Sequence, residues 1–167
     1  MKNLVYYTDW LASPSGPTQS NWSGNWSGLL KTFSKSSDEP ELFVTWEIGP
    51  YPLASNRCTT WRNTYSANGT LQMKKEYRFC RGQGSDMLYI DESNGMTIVA
   101  QWIDNILVHP FTYDDFIAVN LIRMRGDNLE EEKLIFEDKP AINGVISKRA
   151  LSIQRLTMTR ITIEQCN

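Results

Sequence analysis

Residues 57–80 read RCTTWRNTYSANGTLQMKKEYRFC, two runs rich in β-branched and aromatic residues on either side of Asn68-Gly69-Thr70. Such runs around a short glycine-containing break read as a β-hairpin. If the three residues form the loop, Ala67 pairs with Leu71 and the whole register follows. Trp61 then faces Tyr77, Tyr65 faces Met73 and Thr59 faces Phe79 on one largely apolar face, while Arg62 meets Glu76 and Cys58 meets Cys80 on the other. A slip of one residue would set Trp61 against Glu76 and Arg62 against Tyr77. Every side chain would change face, so the unmixed register is the one expected.

The same alternation recurs on both sides of this hairpin. Strands are expected at about 26–34, 41–48, 57–66, 71–80, 86–91, 96–103, 115–125, 131–137 and 149–163. Turn signals such as SKSSDEP, GPYPLASN, ESNG, HPFTYDD and DKPAING separate them. No long pattern of period 3.6 lies between the strands, and without crossover helices the strands are expected to be antiparallel. In the last run the odd positions Leu151, Ile153, Thr157, Ile161 and Ile163 share one face and Leu156 and Met158 the other, which predicts a strand buried on both sides. Residues 2–12 carry apolar side chains at near-helical spacing and end at SPSGP. The expected organisation is one domain, with a helix or arm over 1–20 and the all-β body over 21–167.

The chain has 167 residues, enough for one buried core. Its 17 Lys plus Arg are interspersed with 19 Asp plus Glu, leaving no basic footprint for nucleic acid or anionic membrane. No run approaches the ~18 apolar residues of a membrane span. The N-terminus lacks the apolar core of a signal peptide, so a cytoplasmic location is expected. The sequons at Asn21, Asn25 and Asn68 would matter only in a trimmed secreted form. Cysteines 58, 80 and 166 make no metal spacing, and free thiols are the expectation in a reducing compartment, with Cys58 and Cys80 close enough to bridge in an oxidising one.

About eight to ten short antiparallel strands need closure or sheet-on-sheet packing to remove their edges. The two ends of the chain point to closure. In SNWSGNWSG, residues 20–28, the segment GNWSG at 24–28 resembles the Gly-x-Trp signature that opens the first strand of calycin barrels, a group including lipocalins, fatty-acid-binding proteins and nitrobindin-like proteins. RLTMTR at 155–160 resembles the arginine-bearing last strand of that superfamily. The resemblance implies an up-and-down β-barrel closed by Trp26 with Arg160 or Arg155, the first NWSG being an incidental lead-in. It also implies a cavity for a small hydrophobic molecule, lipid-like or tetrapyrrole-like. EYRF and RLTMTR further resemble strands of phycobiliprotein bilin lyases, which belong to the same broad fold group.

The aromatics on expected strands, Trp46, Trp61, Tyr65, Tyr77, Tyr89 and Trp102, suit the lining of such a cavity, since amphipathic rings offer both apolar surface and N–H or O–H donors. Arg62, Arg78 and Lys75 lie in the same region and could anchor a carboxylate, with two of the three expected to face water. The alternative is a cofactor-free isomerase, cyclase or lyase on the same scaffold, with His109, Glu47 or a tyrosine moving a proton. His109 precedes Pro110, so a surface-loop histidine is the simpler reading. No Gly-x-Ser-x-Gly nucleophile, phosphate loop or zinc spacing occurs, and no cofactor is implied.

Overall fold

The computed structural model describes residues 22–34, 40–83 and 87–162; the expected N-terminal helix or arm and the end of the last run lie outside them. Ten strands follow one another: β1 (Gly24–Ser34), β2 (Leu42–Ile48), β3 (Arg57–Ala67), β4 (Thr70–Arg81), β5 (Leu88–Asp91), β6 (Thr97–Ile103), β7 (Ile106–Tyr113), β8 (Phe116–Arg125), β9 (Asn128–Pro140) and β10 (Lys148–Arg160). Each pairs antiparallel with its sequence neighbours, and β1 pairs with β10, closing an up-and-down barrel with no helix among the described residues.

The β3–β4 register is the expected one from Cys58↔Cys80 to Tyr65↔Met73. The tip differs. Asn68 and Gly69 both take positive φ, 49° and 75°, and make a two-residue turn that pairs Ala67 with Thr70. Such a turn matches the strands' own twist better than a three-residue loop. A bulge between Tyr65 and Ser66 and their partners then absorbs the one-residue difference. Cys58 and Cys80 are joined in a disulfide, correcting the expectation of free thiols.

One strand was missed by the sequence reading. HPFTYDD is not punctuation but the second half of β7 and its turn. Pro110 is tolerated because β7 pairs with β6 only through Val108, so the ladder on that side has already ended. β10 also departs from expectation. Leu156 and Met158 are buried in the barrel, whereas Thr157 and Ile161 on the other face are exposed, so the strand is buried on one side.

The closed end is aromatic. The Trp22 ring lies 5.2 Å from Trp102 and 6.4 Å from Trp61, and Trp61 packs 5.3 Å from Phe79. Trp26 donates from Nε1 to the Trp22 carbonyl at 2.8 Å. Trp22 of the first NWSG is therefore part of the floor, correcting the reading of that copy as a lead-in. Arg160 pairs with Trp26 in the β1–β10 ladder, sets its guanidinium 4.3 Å over the Trp26 ring and donates to the Ser23 carbonyl. Gly24, at φ 133°, leaves room for that guanidinium, which a Cβ would strike. Arg155 instead points outward to Glu132 at 2.8 Å.

Candidate functional site

Alternation sorts each strand's residues into lumen and exterior. Above the aromatic floor the lumen is a cavity of about 960 Å³. A barrel's diameter grows with strand number, and ten strands leave more interior than side chains fill. The short β5–β6 hairpin shapes the mouth. β4 pairs with β5 only over Arg78–Arg81, and β7 with β6 only through Val108, so the outer halves of β4 and β7 face each other across a notch. Met73, Met96 and Tyr113 line the cavity and are each more than 40% exposed there, marking its opening.

Parity then separates the residues picked out in the sequence. Trp46, Trp61, Tyr65, Tyr77 and His109 line the cavity. Trp102 lies in the floor, donating from Nε1 to the Tyr51 hydroxyl at 3.2 Å. Tyr89, between buried Leu88 and Ile90, points away from the lumen. Arg62 bridges Glu47 and Glu76 on the outer surface, and Arg78 pairs there with Asp91. Lys74 and then Arg62 hold the Glu76 carboxyl below its ordinary range. Of the three cations considered for a ligand carboxylate, Lys75 alone lines the cavity. Glu47 and His109 lie on opposite faces of the barrel wall, so they cannot act on one substrate atom.

His109 is no surface-loop residue. Its side chain is 3% exposed, because position 109 shares the lumen face of β7 with buried Leu107. It pairs across the ladder with Asn120, whose Nδ2 lies 2.7 Å from His109 Nε2 and 2.6 Å from Glu131 Oε1. A carboxylate can only accept, so the amide must turn its NH₂ toward Glu131; the same nitrogen then faces the imidazole. His109 Nε2 is therefore the acceptor, and Nδ1 carries the ring proton. Burial, with Lys133 adding to it, pushes the imidazole down to about 3, so it is neutral at physiological pH. Burial and the nearby Glu131 raise the Tyr65 phenol, and burial raises that of Tyr77, so both keep their O–H protons.

Four buried polar atoms in this wall have no hydrogen-bond partner among the described residues: Trp46 Nε1, Asn63 Oδ1, His109 Nδ1 and Asn120 Oδ1. Native interiors leave few such groups. Here two donors and two acceptors face one cavity. Among the described residues no group of three His, Cys, Asp or Glu is placed to hold a metal. Asn63, Asn120, Glu131 and Lys133 were missed in the sequence. The signal was present as polar residues at lumen parity, Asn120 between Ala118 and Ile122, and Glu131 and Lys133 between Leu129 and Ile135.

No protein-family model matches the chain, and no curated protein does. Among solved structures the barrel resembles the S-type phycobiliprotein lyase CPES from Guillardia theta, with a TM-score of 0.59 over 85% of this chain and 89% of that one at 12% identity. That likeness is one of fold: a closed, antiparallel ten-strand barrel, here with Arg160 packed over Trp26 at its closed end.

Proposed function

We propose that the barrel binds one small hydrophobic or conjugated molecule in its lumen, and that a tetrapyrrole-like ligand suits it better than a simple lipid. The observation that carries this is the cavity wall itself: aromatic rings beside four buried, unpartnered polar atoms. A pocket for a plain alkyl chain has no use for two donors and two acceptors, each costly to leave unmade. A conjugated ring system with its own N–H and C=O groups meets both the rings and the polar atoms. The volume, about 960 Å³, is at the upper end of the ~300–1,000 Å³ typical of small-molecule sites. The similarity of fold to a phycobiliprotein lyase supports the same direction.

The second reading is a cofactor-free lyase or isomerase on this scaffold, favoured by the same structural neighbour. In that case the Glu131–Asn120–His109 chain inside the lumen would act on the substrate, and outward-facing Glu47 would not. His109, held neutral down to about pH 3, is a poor general base near pH 7.

Native mass spectrometry and an absorbance scan of protein purified from its own host test the binding reading. A stoichiometric extra mass is expected, with visible absorbance for a conjugated ligand. Added ligand at a hundredfold excess over its Kd should stabilise the fold by about 2.7 kcal/mol. Protein that runs at its bare mass and shows no melting shift with a broad tetrapyrrole and lipid panel would refute it.

A further inference from the structure

We infer that the ligand carries a carboxylate, and that Lys75 and Lys133 hold it from opposite walls of the lumen. This rests on the binding reading above and narrows its ligand class. Lysines 31, 74, 75, 133, 139 and 148 fall among the described residues. Four of them make ion pairs on the surface: Lys31 with Glu41 at 2.9 Å, Lys74 with Glu76 at 2.7 Å, Lys139 with Glu137 at 3.4 Å and Lys148 with Asp138 at 2.7 Å. The two that make none with any described residue are the two that line the cavity.

Their placement is opposed. β4 and β9 lie five strands apart in either direction around the barrel, so Lys75 and Lys133 reach inward from facing walls. The Lys75 ammonium rests 5.9 Å from the Tyr65 ring centre and 5.7 Å from that of Tyr77, contacts that hold a cation in the lumen without neutralising it. Burial, and after it repulsion from Lys133, lowers the Lys75 pKa. Glu92 and Glu131 line the same cavity and attract Lys75, but neither forms an ion pair with it or with Lys133; Glu131 accepts from Asn120, and Asp114 is exposed at the mouth. Two cations converging in a partly dry space repel each other and lose hydration. An acid group between them relieves both costs, while the aromatic wall covers an apolar or conjugated body.

The shared chemistry is a carboxylate on a hydrophobic body, from a linear tetrapyrrole or from a fatty acid. The test compares biliverdin with its dimethyl ester and palmitic acid with its methyl ester, by tryptophan-fluorescence titration of wild-type protein and of K75M, K133M and the double variant. Methionine keeps the length and apolar stem, and melting curves confirm folding. In the arm that binds, the acid should bind about tenfold or more tighter than its ester, since charge-assisted hydrogen bonds are the strong ones. Each substitution should shrink that ratio and the double variant should abolish it. Equal binding of acid and ester, or a ratio untouched in the double variant, overturns the inference and leaves cavity binding intact. Binding of none of the four compounds overturns both.

Discussion

Breaking the Cys58–Cys80 bridge tests the β3–β4 register, since only a register that sets these two positions opposite each other lets the sulfurs meet. The bridge closes a loop with a sequence separation of 22. In the chain-entropy account, releasing a loop of that length returns about 11 cal/mol/K to the unfolded chain, or about 3.4 kcal/mol at 25 °C. For a domain of this size each kcal/mol moves Tm by about 2–4 °C, so the double variant C58S/C80S should melt about 7–14 °C lower. Urea unfolding at equilibrium supplies the free energy directly. Intact mass supplies the chemistry: reduction should add the mass of two hydrogen atoms, and an alkylating reagent should label at most one cysteine before reduction and three after it. Loss of less than about 1 kcal/mol in the double variant would refute the entropic argument. Labelling of both Cys58 and Cys80 in unreduced, folded protein would refute the bridge itself.

Three further outcomes follow from the same geometry. Arg160→Met removes the cation over Trp26 and the bond to the Ser23 carbonyl, and should cost about 2–4 kcal/mol by urea unfolding; Arg155→Met, losing an exposed pair to Glu132, should cost under about 1 kcal/mol. Equal costs would contradict the assignment of closure to Arg160. Gly24→Ala should destabilise by more than about 1 kcal/mol, because φ 133° disfavours any side chain and the new Cβ meets the Arg160 guanidinium. The His109 pKa is lowered from 6.5 unfolded to about 3 folded, so its contribution is intact above about 6.5 and is lost as pH falls toward 3. Between pH 7.5 and 5 this removes about 2 kcal/mol of stability. His109→Gln should flatten that part of the pH profile, and an unchanged profile would show that His109 is not the group responsible.

Most strand positions and their antiparallel pairing were legible because a β-strand's side chains alternate with period two, and a half-buried wall writes that alternation into the residues themselves, whereas closure was expected only from the resemblance of the two chain ends. Trp61, Tyr65 and Tyr77 share one parity and Arg62 and Glu76 the other, so the hairpin could be registered without coordinates. Resemblance to the ends of calycin barrels gave Trp26 with Arg160 or Arg155, and only the structure chose Arg160. β7 escaped because His109-Pro110 and the following Thr-Tyr-Asp-Asp carry the marks of a turn. Pro110 is compatible with a strand only where a neighbouring ladder has stopped, and that is a property of β6 and not of β7.

The site followed the same division. Alternation alone determined that residues such as Tyr65 and Tyr77 share a face with Trp61, and that Arg62 and Arg78 share another. Only closure of ten strands decided which face became the lumen and that it stayed open as a cavity. His109, Asn120 and Glu131 are brought together by the local registers of the consecutive strands β7, β8 and β9, whereas Lys75 and Lys133 come from strands far apart in the chain. Their meeting depends on barrel circumference and register stagger, quantities set by all the pairings at once, and so no local pattern in the sequence could announce it.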